Sequence, residues 1–342
     1  MKEPMSSWAQ IPEEELLKLR IKDLSLDLET SDIFPLVKGV LQELEAKELH
    51  LKPRIYFGDE WFSPEGVGAI AIPFFLAHPR LRTLEKKMML ECEGEDSLEF
   101  KKFFRHELGH AFDHAFKVSR RSSWVKIFGS PKKEYQPETY RPRPYSKNFV
   151  HNIGRWYAQA HPDEDFAETF AIWLDPNSDW KNSYKDWGAY KKLSYIDRLS
   201  EEFKNKKTFP ARGKMISDAN YLQSTLLRYY EKKRRHFAED YPDFYDKDLL
   251  RIFLPKTEES LKFESASSFM KRNRKKIIGT IAHWTGEKKT TISDLTSRLI
   301  KRCAELKLVV PDEEAEVLLE TSAFLATLVS HYLFTGHFRR TI

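Results

Sequence analysis

The run Phe103-Phe104-Arg105-His106-Glu107-Leu108-Gly109-His110-Ala111-Phe112-Asp113-His114 constrains this chain more than any other stretch. On an α-helix each residue turns about 100°, so His106 and His110 share one face, about 40° apart, where two imidazoles can grip one metal ion. Glu107 falls about 60° beyond His110, beside the ion's open position, where a carboxylate can take a proton from water. Phe104, Leu108, Ala111, Phe112 and Ala115 occupy the opposite face, so the helix would anchor in a core while presenting its ligands inward. Asp96 stands where an N-cap belongs, with Glu99 three residues on as in a capping box, and the apolar period continues to about Phe116. A pair of satisfied core histidines would give the same short pattern, so its meaning rests on a third ligand.

The stretch Tyr157-Ala158-Gln159-Ala160-His161-Pro162-Asp163-Glu164-Asp165-Phe166-Ala167-Glu168-Thr169-Phe170-Ala171 supplies candidates. Pro162 suits the first position of a helix, and acids belong in its first turn, which accounts for Asp163, Glu164 and Asp165. It does not account for Glu168, one turn further on and on the same face as Glu164. Two carboxylates stacked on an otherwise aromatic helix need a partner if buried, and a metal with its histidine ligands is one. Helix geometry alone allows either glutamate as the third ligand. Phe166, Phe170 and Trp173 would pack the other side.

These two motifs, together with Ile70-Ala71-Ile72-Pro73-Phe74-Phe75-Leu76-Ala77-His78-Pro79-Arg80-Leu81, resemble a bacterial zinc-binding metallopeptidase family. More distantly they are similar to lethal-factor-like and Pro-Pro endopeptidases. The resemblance spans roughly residues 55–200. It implies a zincin-like metallopeptidase domain with one zinc per chain, held by His106, His110 and Glu164, with Glu107 as general base. Glu107 would take the proton of the attacking water and pass it to the leaving amine. Tyr157 matches the residue that stabilises the oxyanion, while Asp113 and Glu168 would orient the imidazoles from behind. His161 and His114 read as structural or solvent-facing.

With 41% hydrophobic and 32% charged residues and a formal charge of +5, the chain reads as globular and mildly basic. Its 342 residues suggest one large or two moderate domains. Two cysteines, Cys92 and Cys303, exclude a disulfide framework and a cysteine-based zinc site. The first thirty residues show no secretory pattern and Leu318 to Phe334 is short for a membrane span, so a cytoplasmic location is expected.

The remaining pattern predicts a short helix after Pro12, an amphipathic helix over 33–48, strands at 51–57 and 68–75, and a short helix over 81–92. Gly58-Asp59 reads as a turn, and Pro73 suits an edge strand that would accept an extended substrate backbone. The polar region 118–148 reads as irregular, interrupted by Pro137, Pro142 and Pro144, its Tyr and Arg side chains lining a cleft or paving the surface. A linker is expected over 204–214. Helical patterns follow around 221–229 and 278–282, then over 291–306 and 313–333. The fold class is therefore α+β: a metallopeptidase domain over 1–200 with a small sheet and an active-site helix, then an all-helical region over 201–342 acting as a lid or a partner-docking module. The basic clusters Lys232-Lys233-Arg234-Arg235 and Lys271 to Lys276 read as solvated faces and not as a nucleic-acid site. A peptide or protein is the expected partner, with no membrane; the pattern leaves the oligomeric state open. The rival reading is a non-catalytic, zinc-stabilised interaction or regulatory protein.

Overall fold

Acidic residues mark the start of the first helix, α1 (Glu13–Lys18), whose opening turn is Glu13, Glu14 and Glu15 at the positive end of the dipole. The computed structural model describes residues 7–89, 91–135, 143, 145–154, 156–206, 208, 213, 215–236, 245–257, 262–311 and 313–335. Pro137, Pro142, Pro144, Pro210 and the side chains of Arg234 and Arg235 lie outside the described residues. The chain divides into two compact units, residues 1–88 with 92–230, and residues 89–91 with 231–342.

In the first unit, α2 (Phe34–Ala46) tolerates Pro35 in its first turn and buries Val37, Val40 and Leu44. Strands β1 (Arg54–Gly58) and β2 (Ala69–Pro73) then pair in parallel, from Arg54 opposite Ala69 to Gly58 opposite Pro73. The turn expected at Gly58-Asp59 therefore starts a crossover and not a hairpin. Every residue of β2 is buried, and Ala71 also bridges Phe62, donating its N–H to the Phe62 carbonyl at 2.8 Å. The edge expected to receive a substrate backbone is thus occupied at Ala71 by the chain itself.

Helix α3 (Pro79–Met89) leads to α4 (Ser97–Phe116), which carries the two histidines of the motif. Asp96 caps α4, its Oδ1 accepting from Leu98 N–H at 2.9 Å and Glu99 N–H at 3.2 Å. Glu99 turns back to Gly94 N–H at 2.9 Å, so the reciprocal half of the cap reaches two residues before the N-cap. There follow α5 (Ser122–Phe128), α6 (Pro162–Leu174), α7 (Trp180–Ser183), α8 (Ala189–Phe203) and α9 (Leu226–His236).

Helices α4 and α6 pack against each other through a layer of buried rings, among them Phe104, Phe112, Phe166 and Phe170. They approach closely at Gly109, where a Cβ would lie only 2.8 Å from Ala167 Cα. Any larger residue there would force the helices apart. Buried Arg105 ties α4 to its neighbours: Nε and Nη2 donate to Glu43 at 2.7 and 2.8 Å, and Nη1 reaches Asp175 at 2.9 Å. A guanidinium this buried is tolerable because two carboxylates meet its fork.

The second unit holds α10 (Asp246–Ile252), α11 (Ala266–Thr285), α12 (Lys289–Glu305) and α13 (Glu314–Thr335) around a core that includes Phe253, Phe269, Leu295 and Leu325. The region expected to be all-helical contains one short antiparallel pair, β3 (Leu254–Pro255) with β4 (Leu308–Val309). No helix among the described residues is long and apolar enough to cross a membrane. Both cysteines are free and buried, and burial pushes each thiol up to about 12.

Arg302 of α12 grips Asp246 of α10 with both oxygens, Nε to Oδ1 at 2.8 Å and Nη2 to Oδ2 at 2.6 Å. The Arg302 bonds hold the Asp246 carboxyl below its ordinary value. A depressed native pKa contributes stability that is present above the free carboxylate value of ~3.9 and is lost as pH falls through the native one. Arg302→Leu is accordingly expected to cost about 1 kcal/mol near neutral pH, the upper range for a partly exposed pair, and almost nothing once Asp246 is protonated. Denaturation of both chains at pH 7 and at a series of falling acid pH values checks this; a difference that does not shrink as pH falls would contradict it.

Candidate metal centre

His106 and His110 project from α4 toward the first turn of α6, where Glu164 meets them. The Nε2 atoms of the two imidazoles lie 3.1 Å apart, and Glu164 Oε2 lies 3.1 Å from His106 Nε2 and 3.2 Å from His110 Nε2. Three potential ligand atoms thus form a nearly equilateral triangle. Ligands at ~2.0–2.1 Å from a tetrahedral zinc stand roughly 3.3 Å from one another, so the triangle is close to one face of such a site. His106, Glu107 and Glu164 are buried and His110 is half-buried, which suits a centre reached from one side.

The charges in this cluster respond to one another. Burial opposes charge on His106, but the hydrogen bonds it donates to Glu164 and Glu168 outweigh it and raise its pKa well above the ordinary value. His110 is likewise disfavoured as a cation by burial and raised on balance by Glu164. Glu164 feels the converse: burial pushes up, and the two histidines bring it well below the carboxylate range. Glu107 is different. Burial raises its pKa, with His106 and His110 pulling the other way, and its Oε2 is buried with no hydrogen-bond partner among the described residues. An orphaned carboxylate oxygen beside three converging ligand atoms is costly in a protein interior unless the site is completed by something that uses it.

Glu168, buried at 0% exposure, sits behind His106, its Oε1 2.8 Å from Nδ1. A carboxylate there accepts from Nδ1–H and leaves Nε2 facing Glu164 and His110. Asp113 does not join it. Lys117 takes a left-handed conformation (φ 55°) and ends α4, which brings Ser119 N–H onto Asp113 Oδ1 at 2.7 Å. Its contact is a helix-end cap, and the structure sets no Asp113 oxygen against an imidazole.

Tyr157 enters from the short turn before α6, its ring 5.7 Å from that of His106. Its hydroxyl is 2.7 Å from the hydroxyl of Tyr135, a residue of the polar region whose side chains the sequence left between lining a cleft and paving the surface. Burial, then the charge of Glu164, raises the pKa of both phenols, so each remains a donor at neutral pH. His161 explains how Tyr135 arrives. As N-cap of α6, its Nδ1 accepts from Asp163 N–H at 3.2 Å, which leaves Nε2–H to donate to the Lys133 carbonyl at 2.8 Å. That bond lays the segment after α5 over the start of α6. His114 stacks 6.3 Å from His110 and places Nδ1 3.3 Å from Ser63 Oγ.

The helix pair thus closes two histidines and a glutamate on one point, a group that could hold a metal ion, with the unpartnered Oε2 of Glu107 beside it among the described residues. Residues 68–233 match a family described as "Putative zinc-binding metallo-peptidase". All the site residues above lie within the match. Neither a curated protein nor a solved structure matches the chain.

Proposed function

We propose that the chain is a zinc-dependent peptidase in which His106, His110 and Glu164 hold one zinc ion and Glu107 is the general base. The observation that carries the reading is the triangle of ligand atoms with the unpartnered Glu107 oxygen beside it. Zinc held there supplies a Lewis acid for the substrate carbonyl and lowers the pKa of water towards ~7. Glu107 takes the proton of the attacking water and delivers it to the leaving amine. Its burial supports this role, because a raised pKa brings a carboxylate nearer to the operating pH. Tyr157 donates its O–H to the oxyanion as the carbonyl rehybridises. Glu168 keeps His106 in the tautomer whose Nε2 faces the site. A peptide or protein is the substrate class, a cytoplasmic location fits the composition, and the second unit's helices serve a partner.

Purified protein is expected to contain about one zinc per chain. Incubated with a cell extract, it should generate new protein termini that disappear with a zinc chelator and return when zinc is restored. Full zinc content with no new termini would favour the non-catalytic, zinc-stabilised reading.

A further inference from the structure

A strap ahead of Tyr157, residues 145–154, reaches the candidate metal centre through Glu168. Near one end it is held by α8. Lys192 Nζ, from a residue only 8% exposed, donates to the Asn148 carbonyl at 2.6 Å and to Asp165 Oδ2 at 2.6 Å, and lies 4.0 Å from the centre of the Phe149 ring. Ala189 N–H adds a bond to the Lys147 carbonyl at 3.0 Å. Its other end closes on Glu168: Asn152 Nδ2 donates to Oε1 at 2.9 Å, and Ile153 N–H donates to Oε2 at 3.0 Å. Asn152 is itself buried, and its second donor bond goes to the Lys102 carbonyl of α4 at 3.4 Å.

The amide orientation follows from chemistry, since a carboxylate and a carbonyl oxygen both require donors. Glu168 therefore receives three donors, His106 Nδ1–H, Asn152 Nδ2–H and Ile153 N–H, and both its oxygens are committed. Without Asn152 and Ile153 it would have rotamer freedom and a single donor, and His106 would lose the fixed acceptor that sets its tautomer. A carboxylate buried this completely needs such donors to stay in place.

We propose that the strap is a positioning element of the metal centre and that Asn152 is its acting residue, setting zinc affinity through Glu168 and His106. The proposal rests on the zinc reading above. Zinc affinity, measured by competition with a chromophoric chelator, is expected to fall about tenfold in Asn152→Leu, within the range for residues that orient a ligand from outside. In a Glu168→Gln background the same substitution should add little, because the route it acts through is already broken. A merely structural role would lower the melting temperature of metal-free and zinc-loaded protein alike and leave the affinity of the folded protein unchanged. Asn152→Ser, which withdraws the amide while perturbing the core less, repeats the test should the leucine variant fail to fold. Wild type that binds zinc, with either variant binding equally well or with additive losses in the double variant, would overturn the strap alone. Wild type that binds no zinc would overturn the zinc reading and this proposal together.

Discussion

Glu107→Gln is expected to retain zinc and fold while losing about 10²–10⁴-fold in peptidase rate, the usual contribution of a positioned general base. The expectation follows from how little else Glu107 does. Its Oε2 has no hydrogen-bond partner among the described residues, so an isosteric amide removes no known bond at that oxygen. The substitution does remove a basic group whose pKa burial has raised, in the place where the proposed mechanism would deprotonate the attacking water. It also removes a desolvated carboxylate, so a modest rise in stability is compatible with the loss of rate. Metal analysis, a melting curve and the chelator-sensitive termini assay together separate these effects. A variant that generates the same termini at the wild-type rate would remove Glu107 from the chemistry.

The groups legible in the sequence are those whose geometry is helical and local. His106, Glu107 and His110 are fixed relative to one another by the period of α4 alone, and Asp96 announces where that period begins. Glu164 and Glu168 were visible as a stacked pair, but which imidazole atoms each would face was not. It depends on where α6 crosses α4, and therefore on Gly109 meeting Ala167, a contact between residues far apart in the chain. The contact Asp113 makes was hidden for a related reason: the left-handed Lys117 folds the following backbone onto its Oδ1. Tyr135 and Asn152 carry no local signal at all, since each belongs to an irregular segment whose path is set by distant anchors, His161 in one case and Glu168 in the other. Helix α8 escaped notice although its buried positions Leu193, Ile196, Leu199 and Phe203 follow a helical stripe. Its Lys192 looks like a surface charge in sequence and is in fact paired with Asp165 in the interior.

Replacing the two glutamates of α6 one at a time should separate ligand from orienting group. Glu164→Ala is expected to lose zinc by more than the about 10–100-fold typical of a residue behind a ligand, whereas Glu168→Ala should fall within that range. The structure supports this ranking through the atoms each carboxylate faces. Glu164 Oε2 stands 3.1 and 3.2 Å from the two Nε2 atoms, so its loss removes one corner of the triangle and leaves two ligands. Glu168 Oε1 stands 2.8 Å from Nδ1, on the far side of the His106 ring, so its loss frees the ring but leaves three ligands in reach. Burial adds a second difference. Removing Glu168 strands Asn152 Nδ2 and Ile153 N–H without their acceptor, so Glu168→Ala should also destabilise the metal-free protein by roughly 1–3 kcal/mol. Glu164→Ala should cost the metal-free protein less, because what it leaves behind are imidazoles that burial can return to the neutral form. Chelator competition gives the affinities and denaturation of metal-free protein gives the stabilities. Equal zinc affinity in Glu164→Ala and wild type would move the third ligand to another acid, and with it the orientation of the whole centre.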